Sequence, residues 1–223
     1  MTKVHTGDVM CDFTFRTPFE TGRTLGETVR RVPGRTALVF LRYLGCTSCQ
    51  FEIRQYALNY EKIKETGGQL LIVLQSDPQR VADETKDFPL PFEVICDPDR
   101  ELYLEFEIPV AKDKDELHDF NSEKWAAKRA IVKAAGLTHG AYEGEELQLP
   151  ATFVLDHDLD IVFDYYGKAS NDNLSADELA KLLYEPNEKC EWGFDVLRDL
   201  LDNLHCDHQI ELNYSYEAYK RLH

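Results

Sequence analysis

Cys46 and Cys49 form a CxxC pair directly after the apolar run Ala37–Gly45 (ALVFLRYLG) and directly before the helix-like stretch Gln50–Lys64. Two thiols at this spacing, between a strand and a helix, are the pattern of a dithiol redox site. A cysteine at a helix N-terminus faces unpaired N–H groups and the positive end of the helix dipole, and both favour thiolate over thiol. Cys46 is therefore the expected nucleophile. Cys49 lies one turn further on the same side, within reach of any adduct formed on Cys46, which makes it the expected resolving thiol. A CxxC pair is also half of a zinc site. No second pair at metal-ligand spacing accompanies this one, so neither a metal nor an organic cofactor is expected.

The elements that must position this pair follow from the apolar pattern. Ala37–Arg42 is nearly continuous in apolar residues, as in a strand covered on both faces. Helix is expected from about Cys46 to Glu65, with Phe51, Tyr56, Tyr60 and Ile63 facing inward and Gly67-Gly68 closing it. Gln69–Gln75 (QLLIVLQ) is a second buried strand, and the order strand, helix, strand predicts a right-handed parallel crossover. Asp77-Pro78 opens a helix to about Lys86, Phe92–Cys96 is a third strand, and Asp97-Pro98 opens a helix that stops before Pro109. Upstream, Cys11–Phe15 reads as a short edge strand and Pro18–Pro33 as loop plus a brief helix over Leu25–Val32.

Between Val110 and Gln148 the character changes. The segment is charged and helix-prone to Ala135, with Trp125, Ile131 and Val132 as apolar anchors, and then loop-like, so it reads as an insertion of about 110–148. Ala151–Leu155 and Asp160–Tyr166 then form an antiparallel hairpin, and Ser175 with Glu178 is a capping box for a helix over Ala176–Leu183. The expected organisation is one α/β domain over 1–184 and a C-terminal helical extension over 185–223, with an amphipathic helix at about Phe194–Leu204.

The chain carries 25 Lys plus Arg against 41 Asp plus Glu, a formal charge of -16 spread along its length. Such a field repels phosphate backbones and anionic lipid, so neither nucleic acid nor membrane is an expected partner. The first residues lack the apolar core of a signal peptide, and the expected location is the cytoplasm. Six cysteines are too few for a disulfide scaffold in a chain of 223 residues.

Five segments, in order, carry a resemblance: Gly7-Asp8 with Asp12-Phe13, FLRYLGCTSC at 40–49, CDPDRELY at 96–103, LQLPATFVLD at 147–156 and DNLSADELAKLL at 172–183. Together they resemble the peroxiredoxin-like branch of the alkyl hydroperoxide reductase/thiol-specific antioxidant (AhpC/TSA) family. The resemblance implies a thioredoxin-like fold, a central mixed sheet flanked by helices. It also implies a cis Pro150 facing the nucleophile, with the backbone of Leu149 offered to substrate. Arg42 then stabilises the thiolate or a leaving oxyanion, Thr47 and Ser48 donate hydrogen bonds to the Cys46 sulfur, and Tyr43 and Ser48 contact substrate. The implied partners are a peroxide or disulfide substrate and an external dithiol reductant of thioredoxin or glutaredoxin type, with a homodimer as a possible assembly.

The departures from the family pattern leave more than one function open. Arg42-Tyr-Leu-Gly45 precedes Cys46 without the proline and threonine of a PxxxTxxC loop, Phe40 stands where thioredoxins carry a buried aspartate, and Gly45 stands where they carry tryptophan. Hydroperoxide reduction through a Cys46–Cys49 cycle is the first reading. Thiol-disulfide exchange without peroxidase activity is the second, and a non-catalytic binding module or a zinc-binding CxxC protein is the third. Cys11 and Cys96 read as small buried hydrophobes, and His118, His139 and His157 as surface residues. Cys190, His205, Cys206 and His208 are ligand types in the extension, at a spacing that fits no standard zinc pattern.

Overall fold

The structure, a computed structural model, describes residues 3–184. All of these fall in the first of two units into which the chain divides, Met1–Glu185 and Pro186–His223. The predicted helix at about 194–204 and the donors Cys190, His205, Cys206 and His208 lie outside the described residues.

A short hairpin, β1 (Thr14–Arg16) with β2 (Thr21–Thr24), leads into α1 (Leu25–Val29), whose N-cap Thr24 forms a capping box with Glu27. The central strand β3 (Thr36–Phe40) is followed by α2 (Thr47–Leu58) and α3 (Tyr60–Lys64). The single helix expected over 46–65 is thus divided at Asn59. Gly67, at a φ of +75°, reverses the chain into β4 (Gln69–Leu74). There follow α4 (Pro78–Thr85), capped by Asp77, then β5 (Glu93–Cys96) and α5 (Glu101–Glu105). Pro98 does not open α5 as the sequence suggested: the Asp97 carboxylate accepts the N–H groups of Glu101 and Leu102, and the helix starts later. The insertion holds α6 (Lys114–His118) and α7 (Glu123–Ala134), and β6 (Ala151–Leu155), β7 (Ile161–Tyr166) and α8 (Ala176–Leu183) complete the unit.

The main sheet has the order β5-β4-β3-β6-β7. Strands β3, β4 and β5 are parallel, as the crossover rule required, β6 runs antiparallel to β3, and β7 runs antiparallel to β6. Side chains alternate across the sheet, and that period of two builds two cores. On one face Ala37, Val39, Leu70, Ile72 and Val154 pack against Ile53, Tyr56, Ile63, Leu179 and Leu183 from α2, α3 and α8. On the other, Leu38, Phe40, Leu71, Val73 and Phe153 pack against Leu25, Val29, Tyr103 and Phe106.

The insertion is anchored differently from the expectation. Ile131 is exposed, and Trp125 packs on His118 and Phe120 rather than on either sheet face. Among the described side chains of α7 the buried one is Lys128, whose Nζ lies 2.5 Å from Oε1 of Glu52 on α2.

Candidate active site

Hydrogen bonding to β4 continues past the end of β3. Leu41 N–H donates to Val73 O at 3.0 Å and Gln75 N–H to Arg42 O at 2.8 Å, which holds the chain extended through Arg42. The turn to Cys46 then starts α2. Cys46 is the N-cap of that helix, in extended backbone, and its sulfur accepts the N–H of Cys49 at 3.4 Å. A thiolate thus occupies the place that a serine or aspartate oxygen fills in an ordinary cap. Cys49, on the first turn, directs its thiol to the same sulfur.

Arg42 supplies the charge. Its Nη2 lies 2.9 Å from Cys46 Sγ and its Nη1 donates to Glu146 O at 2.6 Å. The side chain is buried, and among the described residues no carboxylate pairs with it. The ionised sulfur is therefore the counter-ion of this buried cation. Burial pushes the Cys46 thiol up. The Cys49 thiol, the Arg42 charge and the N–H groups of Cys49 and Ser48 outweigh that effect and bring it down to about 5. Burial, and then the Cys46 sulfur beside it, push Cys49 well above its ordinary value. At neutral pH the negative charge sits on Cys46 and the proton on Cys49, the division needed by a nucleophile and its resolving partner.

Other expected site residues are placed differently. Thr47 and Ser48 begin α2, but neither hydroxyl reaches the Cys46 sulfur among the described residues. The donors at that end are the backbone N–H groups of Ser48 and Cys49. No peptide bond among the described residues is cis, so Pro150 enters β6 in trans. The Gln148 side chain fixes that entry by donating to the carbonyls of Ile108, Pro109 and Leu149. The Leu149 N–H is taken by Pro109 O at 3.0 Å, and its carbonyl accepts from Gln148 at 3.3 Å. The pairing of Phe40 with Ala151 still leaves Pro150 at the same end of the sheet as Cys46. Tyr43 is buried under the insertion, with its hydroxyl 3.2 Å from His139 Nε2.

Sequence reading missed what covers the pair. Residues 138–146 of the insertion lie across the motif: Gln50 Nε2 donates to Thr138 O, Gly140 N–H donates to Gly45 O at 2.8 Å, and Glu146 O receives Arg42. A Cβ added at Gly45 would meet Ala141 O at 2.2 Å, so the glycine before the nucleophile is the seat of this segment. Under it Cys46 is 1% and Cys49 5% exposed. His139 is exposed, as expected, and its ring also neighbours those of Tyr43 and Tyr142. His118, also expected on the surface, stacks on Trp125 at 4.7 Å, and burial brings it down to about 4. His157 bonds to Val32 O. Cys96 is buried as expected, whereas Cys11 is exposed just before β1.

A sheet of this order, with an ionised cysteine paired to arginine at the first turn after its central strand, defines a thiol-based oxidoreductase of thioredoxin-like fold. A profile of the AhpC/TSA family matches residues 6–163, and the chain belongs to that family. Among solved structures it is similar to the peroxidoxin BcpB of Mycobacterium tuberculosis, at 16% identity and a TM-score of 0.55, covering 80% of this chain and 94% of that one. It is similar to peroxiredoxin 6 of Arenicola marina at 11% identity and a TM-score of 0.59, covering 81% and 72%. It is also similar to a thiol peroxidase of Chromobacterium violaceum at 12% identity and a TM-score of 0.54, covering 81% and 87%. No curated protein matches. Among the described residues no helix is long and apolar enough to cross a membrane, and no cluster of three or more His, Cys, Asp or Glu could hold a metal ion.

Proposed function

We propose that the protein reduces hydroperoxides through a Cys46–Cys49 dithiol-disulfide cycle. The observation that carries this reading is the contact of the buried Arg42 guanidinium with Cys46 Sγ at 2.9 Å. The Cys46 thiolate attacks the distal peroxide oxygen, the O–O bond breaks, and the alkoxide or hydroxide leaves with a proton, giving Cys46 sulfenic acid. Arg42, between the sulfur and the solvent-excluding insertion, stabilises first the thiolate and then the oxygen on which negative charge develops. The Cys49 thiol then attacks the Cys46 sulfur, water leaves, and the disulfide forms. An external dithiol restores both thiols by exchange. Membership of the AhpC/TSA family and similarity to a thiol peroxidase support peroxide as the oxidant.

The adjacent thiols also suit exchange with disulfides, and the absence of a PxxxT loop before Cys46 favours that second reading. One experiment separates them. Consumption of hydrogen peroxide and an organic hydroperoxide is measured beside reduction of insulin disulfides, for the wild type, Cys46→Ser and Cys49→Ser. Peroxide turnover lost in Cys46→Ser is expected, with Cys49→Ser reacting once and stopping at the sulfenic acid. Activity on disulfides alone would overturn the peroxidase reading.

A further inference from the structure

The chemistry above requires two visitors of different size at one sulfur, a small oxidant and a dithiol reductant, yet residues 138–146 close over it. One strap side chain makes three of the contacts that hold it down. Glu143 Oε2 accepts the Ser76 hydroxyl at 2.8 Å and lies 3.3 Å from Arg80 Nη1, and its Oε1 accepts the Asp77 N–H at 3.3 Å. Ser76 Oγ in turn accepts the N–H of Leu44, two residues before Cys46, at 2.9 Å. One carboxylate, 14% exposed, thus joins the strap to the β4–α4 turn and through it to the segment that carries the nucleophile. Other ties run through strap backbone, Gly140 to Gly45, Glu145 N–H to Gln75 Oε1, Glu146 O to Arg42 and Thr138 O to Gln50, and through two strap side chains, the His139 ring 3.2 Å from the Tyr43 hydroxyl and the Glu145 carboxylate 3.8 Å from Arg100 Nη1. Charge-assisted hydrogen bonds are the stronger class, and Glu143 stands closer to its cation, 3.3 Å from Arg80, than Glu145 does to Arg100 at 3.8 Å.

We propose that Glu143 is a specificity-determining latch: seated, the strap admits small electrophiles such as hydroperoxides to Cys46, and its release admits the thiol of a macromolecular reductant. The inference rests on Cys46 being the reactive thiolate. Glu143 touches neither sulfur and acts through the strap, so its removal changes access to Cys46, and the pH midpoint of Cys46 alkylation, read alongside, separates access from any change passed on through Glu146 O and Arg42.

The test uses one reactive group at two sizes, N-ethylmaleimide and a maleimide carried on a polyethylene glycol chain, with loss of the unmodified Cys46 peptide followed by mass spectrometry in the full-length reduced protein. In Glu143→Ala the rate with the polymer reagent is expected to rise about tenfold, the loss of a charge-assisted tie, while the N-ethylmaleimide rate changes less than about threefold. Glu143→Gln keeps the acceptor for Ser76 and gives up the charge facing Arg80. It should fall between the two, and it carries the test should the alanine variant not fold. An unchanged polymer rate in a folded variant overturns the latch, as does a wild type that reacts equally fast with both reagents. A Cys46 inert to both reagents in every variant refutes the thiolate reading itself and the latch with it, and failure of peroxide turnover with an intact size effect refutes only the choice of substrate.

Discussion

Replacing Arg42 by methionine keeps the volume of the stem and removes the charge 2.9 Å from the Cys46 sulfur. The centre of the guanidinium charge stands about 4 Å from the sulfur, and two unit charges at that distance interact by about 4 kcal/mol at an effective dielectric of about 20. At about 1.4 kcal/mol per pKa unit this corresponds to roughly 3 units. The Cys49 thiol and the Ser48 and Cys49 N–H groups survive the substitution, and water entering beside the shorter, uncharged side chain would recover a little of the loss. Starting from about 5, the midpoint should rise by about 2–3 units, so that a sulfur almost fully ionised at neutral pH becomes at least about half thiol. The assay is the pH dependence of iodoacetamide alkylation at Cys46, read on its peptide, with thiolate ultraviolet absorbance as a second readout. Arg42→Lys retains the charge but loses the planar fork that also holds Glu146 O, and should fall between wild type and methionine. A midpoint moved by less than about half a unit in Arg42→Met would show that helix and backbone donors suffice, and the role given to the arginine would be refuted.

Folded Cys46 titrates at about 5, below the ordinary 9.0, so its contribution to stability is full above the ordinary value and is lost as pH falls toward 5. The melting temperature of the reduced wild type should therefore rise relative to Cys46→Ser between pH 5 and about pH 8. Gly45→Ala drives a methyl into Ala141 O and should destabilise by about 1–3 kcal/mol in denaturant unfolding while raising the alkylation rate of Cys46, since the strap must move. Lys128→Met strips the buried Glu52 carboxylate of its partner and should cost about 3 kcal/mol, most of it recovered in the double variant Lys128→Met/Glu52→Met; equal losses in the single and double variants would count against a paired origin.

The sequence was legible where structure is local. The apolar run at 37–42, the CxxC at the next helix start, the Asp77 and Ser175 caps and the closing glycine all report contacts within a few residues, and each appears where expected. Strand β2 (TGRT) escaped notice because it has no apolar alternation and is held by pairing with β1. The cover of the site could not be read at all. The tie from Gln50 to Thr138 spans 88 residues and that from Arg42 to Glu146 spans 104, between side chains and carbonyls that have no periodic signature. Pro150 and Leu149 show the complementary error. The family pattern implied a cis peptide at Pro150, whereas the backbone there is trans and is held by a neighbour, Gln148, whose amide bonds to the carbonyls of Ile108, Pro109 and Leu149. Residue types locate a reactive sulfur, but long-range hydrogen bonds decide what reaches it.

The same geometry sets a bias on the proposed redox cycle. In the reduced state the Arg42 charge faces a thiolate, and one buried cation is matched by one buried anion. Formation of the Cys46–Cys49 disulfide removes the anion and leaves the cation where it was, with Nε already lacking a partner and Nη1 held by a single carbonyl. An unmatched buried charge is costly, so the folded chain favours the dithiol over the disulfide by whatever Arg42 contributes to the thiolate. Stabilising the reduced form raises the reduction potential and makes the disulfide easy to reduce. The interaction that makes Cys46 a nucleophile toward an oxidant is therefore the one that makes its oxidised product a ready substrate for an external thiol.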